Sequence, residues 1–526
     1  MSHTPASLSN LQGCIFVHPT PALRRLAPTL LYYSWSRYYS GVQGLSKKMQ
    51  QQWQARQIAH RQRWRRLALI PGLVGGMVWV LGMAPPAIAR IGSLEDCREG
   101  AIAPELAPEL AQPPVPTWQP ASGTWQPVPP GREDTGIVKT VWLQGTSYEM
   151  GCQHGFLLHE EIAAMGREVI QALNFFGRAL GLGRLSQRRS FPGVYDECRG
   201  MAAATTDIGF TVEGCMVLAL GDVYQEYFSY LLPNILFNDG CAHFIVSGDA
   251  TADGGFYQGW TIDNNGGPID YWAENPTILV RQPNDGIPHI FITIPGAIWP
   301  NAGFNAEGII VSNNTAHPLN YEDLSLYGRS TVQMMAEVTR YAHTFTEAYD
   351  IMAAHNRMRA NLVIISDAKS GQAGVFELLG REMGVRELDE NGLLYMTNHF
   401  LSPAVAGRDV VPDSSINRLR SFEQLLEPGG DRSRYGTFDP AGVVAVLRDR
   451  TNPNTGLPSP LDVADDDASI GGNGSHRQVV FDPLNLRFWI ANGTVEPIPN
   501  NPFTCFSLGK LLGLPDAVAC PAPAIE

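Results

Sequence analysis

No two cysteines in this chain are spaced CxxC, and no HExxH, GxSxG or phosphate-loop pattern occurs. These absences remove zinc-ribbon, thioredoxin-like, zincin, nucleophile-elbow and P-loop readings. No repeat with a period of 20–50 residues is present, which removes solenoids and propellers. The first 66 residues contain no Asp or Glu but 10 Lys and Arg; the rest holds 28 basic and 51 acidic residues, a balance of -23. An acidic body excludes nucleic acid as a partner, because phosphate binding needs a basic face. Charged residues are scarce at 17% against 44% hydrophobic, so a 526-residue chain can bury a large core and is not globally disordered.

What is present begins with an address label. Residues 67–84, LALIPGLVGGMVWVLGMA, carry no charge, follow Arg61, Arg63, Arg65 and Arg66, and precede Ala87-Ile88-Ala89. A basic flank, an apolar stretch and a small-x-small site describe a signal segment over 67–89, with the body exported to the periplasm or the extracellular space. The alternative is an uncleaved membrane anchor over 67–84, short of the ~20 apolar residues of a span and weakened by Pro71. Residues 1–66 form a basic leader. It is long for a signal peptide, and Met49 offers a more ordinary start, so 1–48 reads as a misassigned extension or a disordered leader. Residues 90–134 read as a proline-rich linker, with APEL and TWQP each occurring twice.

The folded body is expected over 135–526. A strand at 137–143 precedes apolar runs at helical spacing over 147–177 and 204–232. Turn chemistry at Asn238-Asp239-Gly240 then separates this helical part from a strand-rich one. Strands are expected at 241–247, 255–262, 276–281, 289–294 and 308–313, then a helical stretch over 331–354. More strands follow at 361–366, 374–379, 383–387 and 393–396, helices near 415–426 and 439–448, and strands at 477–481 and 486–491. Strands and helices in separate blocks indicate an α+β fold of stacked layers.

The eight cysteines are Cys14, Cys97, Cys152, Cys198, Cys215, Cys241, Cys505 and Cys520. Cys505 with Cys520 is the first expected disulfide in an oxidising compartment. Cys241 has another use. If the bond between Gly240 and Cys241 is broken, the new α-amine lies beside the thiol and can take its proton. The thiolate then attacks a carbonyl without a catalytic histidine. The same thiol can make the first cut by an N-to-S acyl shift, which Gly240 leaves open. An inert buried thiol is the plain alternative for one cysteine at a strand start.

The context of Cys241 carries a resemblance. CAHFIVSGDATADGGFYQGWTIDNN (241–265) resembles the nucleophile segment of the penicillin acyltransferase-like family, a branch of the autoproteolytic Ntn hydrolases akin to bile salt hydrolases. GFNAEGIIVSNN (303–314), NLVIISDAKSGQAGVFE (361–377), MTNHF (396–400) and SSINRLRSF (414–422) look like later elements of that family, in order. GTSYEMGCQHG (145–155) is similar to its opening segment. The resemblance implies a four-layer αββα sandwich cut into a chain ending at Gly240 and a chain starting at Cys241, which stay associated. It implies Cys241 as nucleophile and Asp263 as the carboxylate near the new amine. It implies Asn398 as an oxyanion donor, Asn314 as a second polar contact to substrate or oxyanion, and Arg418 as a support through charge-assisted hydrogen bonds. The expected substrate is a small-molecule amide or acyl compound, and neither cofactor nor metal is called for. One departure is Trp260, where the bile salt hydrolase branch carries Arg.

Three other readings compete. A conventional cysteine hydrolase would use an uncut Cys241 with His399 or His476 as base. A phospholipase B-like enzyme would cut lipid acyl esters, and a secreted binding protein would keep the fold without chemistry.

Overall fold

The computed structural model describes residues 92–97, 118–221, 238–265, 271, 274–463, 466, 468–472, 474–491 and 497–526, with backbone alone at 238–239 and 264–265. The chain divides into Met1–Met83 and Ala84–Glu526. The leader and the signal segment expected over 1–89 lie outside the described residues. Among the described residues no helix is long and apolar enough to cross a membrane.

The body opens with strands β1 (Gly131–Asp134) and β2 (Lys139–Gly145). Among the described residues six helices follow: α1 (Ser147–Leu157), α2 (His159–Ala164), α3 (Arg167–Arg178), α4 (Leu182–Arg189), α5 (Val194–Ala204) and α6 (Val212–Leu218). Then come β3 (Asn238–Gly248), β4 (Gly254–Asn265), β5 (Thr277–Pro283), β6 (His289–Thr293), β7 (Ala302–Asn305) and β8 (Ile309–Thr315). Helices α7 (Thr331–Tyr341) and α8 (Phe345–Ala353) lead to β9 (Asn361–Asp367), β10 (Gln372–Leu378), β11 (Met383–Glu387) and β12 (Leu393–Met396). The chain ends with α9 (Asp413–Leu426), α10 (Pro440–Leu447), β13 (Ser475–Asp482), β14 (Arg487–Ala491), β15 (Phe503–Ser507), α11 (Leu508–Leu511) and β16 (Ala524–Ile525).

The strands form two sheets, ordered β1-β2-β5-β6-β7-β8-β9-β10-β11 and β12-β3-β4-β13-β14-β15-β16. Every pairing is antiparallel except β2 with β5, which are joined by the long excursion through helices and the second sheet. Period-2 alternation assigns the faces. Ile278 and Val280 of β5 pack with Trp260, Val479 and Phe481 of the second sheet, whereas Leu279 packs under the helices with Met150 and Met201. Likewise Leu362 and Ile364 meet Ile245 and Met396, while Val363 and Ile365 meet Met334 and Val338 of α7. Ala242, Phe244 and Val246 of β3 turn the other way, onto Phe422, Val443 and Leu447 of α9 and α10. The order through the body is helices, nine-stranded sheet, seven-stranded sheet, helices. The fold is mixed α+β with two sheets.

Local chemistry sets the element ends. Thr146 and Glu149 make a capping box at α1, and Asp439 followed by Pro440 starts α10. The helical stretch read over 331–354 is two helices. Thr344 caps α8 through the Glu347 N–H, and Asn305 Nδ2 captures the carbonyls of Thr339 and Ala342, so α7 stops there. Helices α1 and α5 cross in backbone contact: a Cβ on Gly151 would collide with the Glu197 carbonyl oxygen. Disulfides join Cys97 to Cys152 and Cys198 to Cys215, neither of which the sequence suggested, and Cys505 to Cys520, the one that it did.

The linker read over 90–134 differs from the structure in its C-terminal part. Trp118 is buried and donates to Glu307, Trp125 donates to the Leu512 carbonyl, and the Val128 backbone exchanges two hydrogen bonds with Gln282. Proline density signals extended backbone, and it gave no sign that each TWQP tryptophan would find a partner.

Glu197 of α5 and Arg281 of β5 form a bidentate pair at 2.6 and 2.7 Å with both side chains 2% exposed. Glu197→Ala would leave a guanidinium buried without its counter-charge, at a cost of about 3–5 kcal/mol. Chemical denaturation should show that loss; a change below about 1 kcal/mol would contradict it.

Candidate active site

Gly240 and Cys241 lie inside β3, not on a turn before it. The strand starts at Asn238, and Asn238, Asp239 and Gly240 pair with Asn265, Asn264 and Asp263 of β4. Turn-type residues are extended here because the neighbouring strand supplies ladder partners, a tertiary effect that overrides local preference.

Cys241 is 5% exposed, and among the described residues it is the cysteine outside a disulfide. The strand alternation that sends Ala242 and Phe244 toward α9 and α10 sends Cys241, His243 and Ile245 into the space between the sheets. His243 confirms the direction through its bonds to Ser312 and Asn314 of β8.

The backbone of Cys241 is held from the β12 side. Strand β12 pairs with β3 in a register that sets Met396 against His243. Carried two residues further, that register puts Asn398 opposite Cys241, but β12 ends at Met396. Side chains replace the missing ladder. Asn398 Oδ1 accepts the Cys241 N–H at 2.9 Å, and Arg418 Nη1 donates to the Cys241 carbonyl. Arg418 Nη2 donates to the same Asn398 oxygen at 2.8 Å, and Asn398 Nδ2 donates to the Thr315 carbonyl at 2.9 Å. Only the oxygen of the amide can accept from both N–H groups, so these contacts fix which way Asn398 faces. Arg418 is fully buried on α9. Three of the residues singled out in the sequence, Cys241, Asn398 and Arg418, therefore meet.

In this structure the Asn398 oxygen, not its N–H, faces Cys241, on the nitrogen side of the Gly240–Cys241 bond. Because the N–H and C=O of one residue point to the same side of an antiparallel ladder, the Gly240 carbonyl turns the other way, toward Asp263 of β4.

Asp263 is 1% exposed; its carboxylate accepts from Thr261 Oγ1, which also lies 3.0 Å from Ser475 Oγ. The residue opposite Cys241 on β4 is Ile262, so Asp263 stands one ladder step away, across from Gly240.

Asn314 does not present a polar atom to Cys241. Its Oδ1 meets His243 Nδ1 at 2.7 Å and its Nδ2 donates to the Thr397 carbonyl at 2.9 Å. Burial pushes the His243 pKa down to about 3, so the ring is neutral. Since Asn314 Oδ1 can only accept, His243 Nδ1 carries the proton and Nε2 accepts from Ser312 Oγ at 2.6 Å. Ser312 continues to Gln258 and Gln258 to Ser366, a polar chain crossing between the sheets. Trp260, the departure from the bile salt hydrolase pattern, stacks on His243 with ring centroids 5.5 Å apart.

Sequence reading missed several neighbours. Ser415 Oγ accepts the Asn398 N–H at 2.7 Å and meets His399 Nδ1 at 2.7 Å and Thr397 Oγ1 at 2.8 Å. It opens the SSINRLRSF helix, so the motif carried the signal, but a serine at a helix start reads first as a cap. His399, the rival base, has its pKa lowered to about 4 by burial and then by Arg418 and Arg386. It is neutral above that value, and its Nδ1 is engaged by Ser415.

The fold and site define a two-sheet α+β protein with a strand-borne, buried, reduced cysteine. Residues 273–456, about a third of the chain, match the family model described as "AAT: Acyl-coenzyme A:6-aminopenicillanic acid acyl-transferase". This is the family that the ordered motifs resemble; the match spans Asn314, Asn398 and Arg418 and begins after Cys241 and Asp263. An uncharacterized protein of Archaeoglobus fulgidus is 22% identical over 391 residues, 67% of this chain and 63% of that one. The chain thus spans less than two thirds of that relative's length. Among solved structures, the Caenorhabditis elegans N-acylethanolamine-hydrolyzing acid amidase ortholog is 18% identical, with a TM-score of 0.34 over 46% of this chain and 93% of that one. A mutant conjugated bile acid hydrolase from Clostridium perfringens is 11% identical, with a TM-score of 0.27 over 51% of this chain and 96% of that one.

Proposed function

We propose that this chain is the precursor of an exported cysteine Ntn hydrolase or acyltransferase with the αββα sandwich of that class. It would cut itself between Gly240 and Cys241 and then act on an amide bond. The observation that carries the proposal is the grip on Cys241: Asn398 takes its N–H while Arg418 takes its carbonyl and the same Asn398 oxygen. Any buried residue here would need partners for its N–H and C=O once β12 ends; in this chain those partners are a fully buried guanidinium and an amide, and they converge on the one cysteine outside a disulfide among the described residues.

In the first cut the Cys241 thiol adds to the Gly240 carbonyl and the C–N bond breaks. The thiol proton passes to the departing nitrogen, leaving a thioester on Cys241 Sγ and a free α-amine. Water then releases Gly240 as a carboxylate and restores the thiol. Asn398 Oδ1, already the acceptor of that N–H, then accepts from the new amine and holds it beside Sγ. The amine serves as base when Cys241 attacks an external amide, forming a second thioester that goes to water or to an acceptor amine. The family description supports acyl transfer as one outcome of that thioester.

Three disulfides support maturation in an oxidising compartment, as does the signal segment read at 67–89. The α-chain would run from about 90 to 240 and the β-chain from 241 to 526. The parallel pairing of β2 with β5 and the pairing of Asn238–Gly240 with β4 would keep them together without a covalent link. An uncleaved segment at 67–84 would instead anchor the body to the membrane.

The test is the denatured intact mass of the purified wild-type protein. Two fragments, the second beginning at Cys241, are the expected result. A single chain with an unmodified internal Cys241 would overturn the proposal and favour the Cys–His reading.

A further inference from the structure

We propose that Glu377 and Asp409 are positioning residues for the candidate site, a buried carboxylate pair that sets the loop carrying Asn398. The proposal rests on the reading of Asn398 and Cys241 given above and adds what controls that contact.

After β12 the chain leaves the sheet, and 397–402 has no strand partner. Its backbone N–H groups are nevertheless taken in sequence. Asn398 N–H goes to Ser415 Oγ at 2.7 Å and Phe400 N–H to Asp409 Oδ2 at 2.8 Å. Leu401 and Ser402 N–H both go to Glu377 Oε2, at 2.8 and 2.7 Å. Three consecutive amides therefore rest on two carboxylates from separate elements. Glu377, at the end of the NLVIISDAKSGQAGVFE hairpin, is fully buried, and Asp409 is 3% exposed. The motif glutamate thus finds a use that strand pairing does not explain.

The pair is tied to the same residues as the site. The Val410 N–H donates to the His317 carbonyl and the Leu319 N–H to the Arg408 carbonyl, hooking Asp409 to the segment after β8. Two residues before His317, the Thr315 carbonyl accepts Asn398 Nδ2. The loop is thus held at Asn398 and again at Phe400 by one neighbouring segment.

The two carboxylates are unequally balanced. Glu377 has Arg386 at 2.7 Å. Asp409 faces Glu377 from β10 and His317 from the segment after β8, while its neighbour Arg408 is committed to Asp323 and Glu382. Asp409 Oδ1 is buried with no hydrogen-bond partner. Burial, with Glu377 adding to it, raises the Asp409 pKa to about 6, against the Phe400 N–H and His317. A carboxyl raised by its fold favours the folded state when neutral. Its contribution is fully present below the ordinary value near 3.8 and is lost as pH rises through about 6. Neutral Asp409 still accepts from Phe400 without opposing Glu377. The loop is therefore best seated on the acid side of 6.

Two measurements test this. Hydrogen exchange of the 397–402 amides is followed against pH in the uncut Cys241→Ala chain, alone and with Asp409→Asn or Asp409→Ala added. Cutting at Gly240–Cys241 is followed against pH with Cys241 intact. The expected result is protection of 400–402 that weakens above about pH 6 in the Asp409 chain and persists in Asp409→Asn, which keeps the acceptor and removes the charge. It is lost at every pH in Asp409→Ala. Cutting should slow by about tenfold across the same inflection, with the inflection absent in Asp409→Asn. If the Asn and Ala variants leave both profiles unchanged, the proposal is overturned. If exchange follows Asp409 while no chain is ever cut, the clamp stands and the processing reading fails. Glu377→Gln, which keeps one acceptor for Leu401 and Ser402, should raise exchange at 401 and 402; unchanged protection there would also overturn the clamp.

Discussion

Replacing Cys241 by alanine is expected to leave the chain whole, with no fragment beginning at residue 241 after any incubation. In the proposed cut the thiol would be the atom that attacks the Gly240 carbonyl, and a methyl side chain offers nothing in its place. The fold should survive: Cys241 makes no disulfide, and the ladder around it is built from backbone. Cys241→Ser should cut, and more slowly, because a hydroxyl gives up its proton less readily than a thiol. Intact mass over a time course reads all three. Cutting in the alanine variant would mean that another group or a contaminating protease acts there. A serine variant as fast as wild type would remove the thiol from the limiting step.

Arg418→Met should come next in size. The guanidinium is the donor to the Cys241 carbonyl and to Asn398 Oδ1, and all three groups are buried. Methionine fills similar space but leaves the Cys241 carbonyl without its donor and Asn398 Oδ1 with the Cys241 N–H alone, and hydrogen bonds to charged groups are worth about 1.5–3 kcal/mol each. A loss of about 3 kcal/mol in stability is expected, with cutting slowed about 100-fold as Asn398 loses the partner that turns its oxygen to Cys241. Arg418→Lys should recover stability better than rate, since one ammonium cannot reproduce the fork. Denaturation and cutting kinetics separate the two effects. A slow but stable Met variant would show that Arg418 acts on the chemistry alone; a fast and stable one would remove it from the site.

Most of the strand order was legible from hydrophobic periodicity because most strands are buried on both faces or alternate cleanly, whereas α4 and α5 fall over 182–204, where the spacing showed no element. β11 and β12 stand where the apolar runs placed them, at Met383–Glu387 and Leu393–Met396. β7, four residues with two buried hydrophobics, and β15 carried too little pattern to read. The break between α7 and α8 was hidden because Asn305, which takes the freed carbonyls, lies far away in sequence.

The sequence by itself determined an acidic, core-rich α+β chain and a set of motifs in order; the family that those motifs resemble implied Cys241, Asn398 and Arg418 as residues of one site. Composition and motif order survive without coordinates. Only the tertiary structure decided how they meet. Asn398 stands in for a ladder position because β12 stops two residues short, so its oxygen faces the Cys241 nitrogen while its side-chain N–H turns to the Thr315 carbonyl. Asn314 is spent on His243 and Thr397, and Gly240 is extended because β4 lies beside it. Hydrogen bonds between residues 71 to 177 positions apart leave no trace in spacing or periodicity; they exist once two sheets and a helix have packed.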